Sequence, residues 1–134
     1  RDQIRQTVTF LKEWNDISLT PEEASARLLD YAGSRSKPVV DRFLHIIDLL
    51  AAKGADHRYI LIRPALSRNW DYYTGAIFEC RLPDGRLVAG GGRYDDFASQ
   101  LGARQPVPAV GVGIFLGPLV SMKNAAGLTE RTRD

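Results

Sequence analysis

The sequence predicts a mixed fold, α/β in the broad sense and α+β in detail, with a mainly antiparallel sheet flanked by helices. Two observations lead there. Residues 1–53 carry helical periodicity and helix-boundary signals, whereas residues 77–115 carry period-two alternation, an Asp-Gly turn and a glycine-rich strand pattern. Strands joined by a short turn pair antiparallel, because a parallel return needs a long crossover.

In chain order, residues 2–14 place Ile4, Val8 and Leu11 on one face at helical spacing, with Phe10 and Trp14 beside them. Asn15-Asp16 breaks the pattern. Thr20-Pro21-Glu22-Glu23 is a helix start: Thr20 caps, Pro21 takes the first helical position and Glu23 completes a capping box. This helix buries Ala24, Leu28 and Tyr31 or Leu29, and Gly33 ends it. Residues 38–53 form the clearest helix, with Val39, Phe43, Ile46, Ile47 and Leu50 on one side and Val40, Leu44 and Leu49 widening it. So broad an apolar face is expected to lie against a sheet. Residues 58–63 read as a strand that Pro64 ends.

Residues 77–82 alternate, with Phe78, Cys80 and Leu82 on one side and Ile77, Glu79 and Arg81 on the other. Pro83-Asp84-Gly85 turns the chain into a return strand through Leu87 and Ala89. Residues 94–101 are expected to be a short helix stopped by Gly102. Residues 109–115 are a small-residue strand whose glycines allow something to approach the backbone closely. A helix starts near Leu116 despite Pro118, and residues 123–134 read as a flexible tail.

Composition excludes several classes. No apolar run reaches the length of a membrane span, and the first residues are polar, unlike a signal peptide. The single cysteine, Cys80, rules out an intrachain disulfide, suits a reducing cytoplasm and is expected to pack with Phe78 and Leu82. No metal site is expected, since His45 and His57 lack ligand spacing. The net charge is +2 and the basic residues are scattered, which gives nucleic acid little support. Fourteen arginines against four lysines fit planar anion recognition or a GC-rich genome equally.

Two stretches carry possible chemistry. Arg68 with Asp71, Tyr72 and Tyr73 combines a forked cation with phenols that bond well when half-buried. The alternative is a tyrosine-rich sheet end in which Arg68 pairs with Asp71. Gly90-Gly91-Gly92-Arg93-Tyr94-Asp95 allows a tight turn and a close backbone approach, or is simply a turn with Arg93 paired to Glu79. It lacks the lysine and hydroxyl of a phosphate loop, and no βαβ unit surrounds it. Glu79 and Asp95 are carboxylates suited to an α-ammonium group, with nothing to force their pKa values apart.

These residues carry a family resemblance. Arg68-Asn69-Trp70-Asp71-Tyr72-Tyr73-Thr74-Gly75 with Phe78-Glu79 resembles the first histidine signature of histidyl-tRNA synthetases, Arg-Gly-Leu-Asp-Tyr-Tyr followed by a strand ending in Phe-Glu. Gly91-Gly92-Arg93-Tyr94-Asp95 is similar to the second signature, Gly-Gly-Arg-Tyr-Asp. The resemblance implies a class II aminoacyl-tRNA synthetase-like core. Residues 1–122 would be the C-terminal part of that domain, with 1–37 a helical insertion and 38–122 its sheet and helices. It also implies a histidine site made of Arg68, Tyr72, Tyr73, Glu79, Gly91, Gly92 and Tyr94. In it Arg68 meets the ligand's carboxylate, and Tyr73 and Tyr94 bond the imidazole.

The departures shape the expected function. Where the synthetase pattern ends in Gly-Leu-Glu-Arg-Leu, with an arginine on the ATP tail, this sequence has Gly117 and Pro118 at the glutamate and arginine positions. Proline supplies no guanidinium. Asn69 and Trp70 replace the glycine and leucine of the first signature. The sequence given has no class motif ahead of Arg1 and no anticodon-binding region after Leu119. A histidine pocket without the ATP arginine resembles the synthetase-like regulatory subunit of ATP phosphoribosyltransferase. That resemblance implies a non-catalytic, cytoplasmic feedback sensor that uses no cofactor. It would be a homodimer within a hetero-oligomer with the short-form catalytic subunit, binding histidine and not tRNA. The alternatives are a histidyl-tRNA synthetase, divergent or in part, and another synthetase-like domain such as that of translation-control kinases.

Overall fold

The structure, a computed structural model, describes residues 2–68 and 71–126. The chain divides into two compact units, Arg1–Leu66 and Ser67–Asp134.

The first unit is helical: α1 (Asp2–Asp16), α2 (Pro21–Ala32) and α3 (Lys37–Ala52), with 3₁₀ turns at Ser34–Ser36 and His57–Tyr59. The start of α2 is as its sequence predicts. Glu23 N–H donates to Thr20 Oγ1 at 3.3 Å, and the Thr20 N–H donates to Glu23 Oε2 at 2.8 Å. Gly33 closes the helix at φ 76°, where its N–H reaches the Leu29 carbonyl. Leu19, Ala24, Leu28, Val40, Ile47 and Ile62 form the core. Each large side chain among them contributes about 1.5–3 kcal/mol by leaving water.

Two expectations need correction here. α3 buries Val40 and Ile47 in a core shared with α2 residues, while Val39, Ile46, Leu49 and Leu50 of its broad apolar face are exposed. The unit's extended pairing, among the described residues, is the bridge between Leu19 and Ile62, with bonds of 2.9 and 2.8 Å. The strand expected at residues 58–63 is therefore one bridge residue preceded by a 3₁₀ turn. Asp56 explains the turn: its carboxylate accepts the Arg58 backbone N–H at 2.9 Å and the Arg58 side chain as well. That local bond competes with any ladder. The apolar face of α1 is exposed at Ile4, Val8 and Leu11. Trp14 joins α1 to α2 by meeting the Tyr31 ring edge-on at 6.3 Å.

The second unit holds a three-stranded antiparallel sheet in the order β1 (Ile77–Arg81), β2 (Leu87–Arg93), β3 (Val110–Ile114), with helices α4 (Phe97–Gln100) and α5 (Leu116–Ala125). The β1–β2 hairpin closes where Asp84-Gly85 predicts it. Gly85 takes φ 86°, and its N–H donates to the Leu82 carbonyl at 2.8 Å.

Register decides what each face carries. Ile77 pairs with Gly92, Glu79 with Gly90, Gly92 with Gly111 and Gly90 with Gly113. These residues share one face. Phe78, Cys80, Ala89, Gly91, Val112 and Ile114 share the other. The second face is open, with Val112 and Ile114 more than half exposed. Cys80 is exposed there, which corrects the expectation of a packed thiol. Its alternation was right, but its face is not covered.

α4 is shorter than expected because the residues before it are tied to the sheet. Tyr94 N–H donates to the Ala109 carbonyl at 2.9 Å, and Asp95 N–H to Thr74 Oγ1 at 2.9 Å. Pro118 sits in the first turn of α5, where a missing N–H breaks no helical bond. Of the expected tail, residues 127–134 lie outside the described residues, as do Asn69 and Trp70.

Candidate functional site

Three side chains from separate places in the second unit come to rest on one glycine-lined sheet face. Arg68 lies over Gly90: a Cβ built on Gly90 would strike guanidinium Nη1 and stand 2.8 Å from Cζ. Tyr73 lies over Gly92, its Cδ1 3.0 Å from a Cβ built there. Tyr94 lies over Gly111, its hydroxyl in the space a Cβ would take. Gly90 and Gly111 are thus seats that any larger residue would fill, while at Gly92 the Ala76 carbonyl oxygen at 2.7 Å and Ile77 Cγ2 at 2.9 Å stand nearer than Tyr73.

Arg68 is held from the side by Glu79, the cross-strand partner of Gly90. Arg68 Nη1 donates to Glu79 Oε1 at 3.0 Å, and both side chains are largely buried. The other Glu79 oxygen accepts from Arg81 Nη2 at 2.7 Å, and Arg81 Nη1 donates on to the Gly85 carbonyl. Glu79 therefore braces two arginines and joins the site to the hairpin turn. Neither sequence-level pairing holds: Arg68 pairs with Glu79 rather than Asp71, and Arg93 with Asp95 rather than Glu79. Arg68 Nε is buried without a partner among the described residues.

Asp95 is likewise engaged. Its carboxylate accepts from Arg93 Nε at 2.7 Å and from the Ala109 N–H at 3.0 Å. Those bonds, the Arg93 one first, hold its pKa below the usual carboxylate value. Glu79 and Asp95 are thus both engaged by arginines.

Tyr72 is the centre of the aromatic cluster. Its ring lies 4.6 Å from that of Tyr73, 5.5 Å from Tyr94 and 5.1 Å from Phe97. Its phenol pKa is pushed upward, first by the hydrogen bond with Tyr73 and then by desolvation. It stays protonated at neutral pH and packs against the rings of Tyr73, Tyr94 and Phe97. Gly91 belongs to the opposite face, and a Cβ there would run into the Gly111 carbonyl oxygen. It lets β3 approach β2 rather than lining the glycine face.

Sequence reasoning did not assign Gly90, Gly111 or Phe97 to the site. The signal for Gly111 was present: a strand interior that spends glycines is weak unless something approaches it. His45 is exposed on α3 and His57 faces Glu22 in the first unit. Among the described residues, no group of histidine, cysteine or carboxylate side chains could hold a metal ion. Chemically, the face offers a guanidinium for a carboxylate or phosphate and two phenols that donate or accept.

An antiparallel sheet flanked by helices and carrying such a face is a class II synthetase-like architecture. The chain belongs to the histidyl-tRNA synthetase family, whose pattern matches residues 2–119. Among curated proteins it is 39% identical over 111 residues to the ATP phosphoribosyltransferase regulatory subunit of Allorhizobium ampelinum, covering 80% of this chain and 30% of that one. The regulatory subunit of Sinorhizobium fredii is 35% identical over 128 residues, or 92% of this chain and 34% of the relative. The histidine–tRNA ligase of Natronomonas pharaonis is 39% identical over 115 residues, or 83% of this chain and 26% of the ligase. The chain spans about a third of the length of the first of these relatives.

Proposed function

We propose that this chain belongs to a regulatory subunit of ATP phosphoribosyltransferase that binds histidine and senses it. The observation that supports the reading is the face on which Arg68, Tyr73 and Tyr94 lie over glycines, taken together with a Pro118 at the sequence position where the synthetase pattern has its ATP-binding arginine. In this reading Arg68 takes the histidine carboxylate and the phenols of Tyr73 and Tyr94 take the imidazole. Glu79 holds Arg68 in place, and Tyr72 backs the phenols. Histidine then favours one subunit arrangement by its differential affinity and so alters the activity of a short-form catalytic partner. The working particle is a cytoplasmic hetero-oligomer containing a homodimer of this subunit, without tRNA and without a cofactor of its own.

A second reading, a histidine–tRNA ligase, is favoured by one observation: the ligase relative is as similar, at 39% identity, as the regulatory subunit. Histidine-dependent exchange of pyrophosphate into ATP separates the two in the full-length protein. We expect none. Exchange above background would mean that adenylate forms without the arginine and would restore the ligase.

A further inference from the structure

The middle of β3 raises a question that backbone geometry does not answer. Gly111 is not among the glycines at positive φ, so any residue fits its backbone there. A glycine inside a strand also forgoes side-chain packing, where β-branched residues do better. Its flanking residues Val110 and Val112 are of that better kind. The reason for glycine must lie above the strand, and what lies there is Tyr94. A Cβ on Gly111 would collide with the Tyr94 hydroxyl and stand 3.1 Å from Cζ and 3.2 Å from Cε1. Gly113, two residues on and on the same face, meets only the Gly90 carbonyl oxygen at 3.8 Å, an ordinary contact.

Tyr94 has little room to recoil. Its backbone N–H is fixed to the Ala109 carbonyl at 2.9 Å. Its ring stands edge-on to Tyr72 at 5.5 Å and to Phe97 at 5.9 Å, with Tyr73 at 6.4 Å. A methyl group at position 111 would therefore lift the phenol off the sheet and into the space where a ligand's polar ring meets it.

We propose that Gly111 sets the ligand specificity of this face: its missing side chain seats the Tyr94 hydroxyl, and the height of that hydroxyl selects a small nitrogen heterocycle. The choice of heterocycle rests on the histidine reading; the seat itself does not. Two measurements keep these apart. In thermal melts, Gly111→Ala destabilises the protein while Gly113→Ala does not, and Tyr94→Phe added to Gly111→Ala restores part of the loss. In calorimetry with L-histidine, Gly111→Ala weakens binding about tenfold, the loss of one good hydrogen bond to a buried group. Equal melting of the two alanine variants, or no recovery with Tyr94→Phe, overturns the seat. Recovery in the melts with unchanged histidine affinity in Gly111→Ala overturns the specificity role. Recovery with no histidine binding by the unsubstituted protein supports the seat and overturns the choice of ligand.

Discussion

Asp95 accepts the backbone N–H of Ala109 at 3.0 Å and so ties the residue after Tyr94 to the residue before β3. Tyr94 N–H donates to the Ala109 carbonyl in return, which makes this corner a two-way lock. The lock has a pH dependence. The carboxyl of Asp95 has a lowered pKa in the folded protein, through Arg93 first and the Ala109 N–H second. A lowered carboxyl contributes stability that is present above its unfolded value of about 4 and is lost as pH falls through the folded value. Thermal melts of the wild type should therefore fall in stability below about pH 4. Asp95→Asn should be less stable near neutrality and lose less on acidification. A parallel acid limb in both proteins would mean that Asp95 is not a titrating tie.

Glu79 braces Arg68 from a largely buried position, while Arg81 reaches the same carboxylate from a half-exposed one. The two arginine contacts should not be equal. Glu79→Gln leaves the Arg68 guanidinium undercompensated and should cost roughly 1–3 kcal/mol in urea denaturation. Arg81→Gln should cost less than about 1 kcal/mol, because an exposed partner is screened by solvent. Equal losses would place the brace on the hairpin side rather than at the site.

The capping box at α2 provides a local test in the helical unit. Thr20→Ala removes the acceptor for the Glu23 N–H and should cost about 1 kcal/mol, read by circular dichroism melts. Serine at the same position should restore most of it.

Cys80 reports on the open sheet face. Its thiol is exposed beside Phe78 and opposite Ala89, so a maleimide should label it under native conditions at a rate near that of the unfolded chain. Protection by orders of magnitude would show the face to be covered in solution.

Residues whose structure is set by near neighbours were legible in the sequence. The Thr20 cap, the Gly85 turn and the alternation of β1 all follow from local bonding and period. What sequence could not give was which surface each face meets. The broad apolar stripe of α3 fits a sheet or a helix equally, and here Val40 and Ile47 are buried in a cluster with Leu28 of α2 while Val39, Ile46, Leu49 and Leu50 stay exposed. The run at residues 58–63 had strand composition, but Asp56 captures the Arg58 backbone first. At the site, the residue types Arg68, Tyr73 and Tyr94 were legible, while their seats were not. Strand pairing alone brings Gly111 beside Gly92 and sets Gly91 on the opposite face from both.

The central claim is most directly tested by calorimetric titration of the full-length protein with L-histidine in the absence of ATP. The account predicts saturable binding of histidine that Arg68→Ala abolishes while the fold remains intact by circular dichroism. A folded protein that takes up no histidine, or one that binds it equally well without the Arg68 guanidinium, would contradict it.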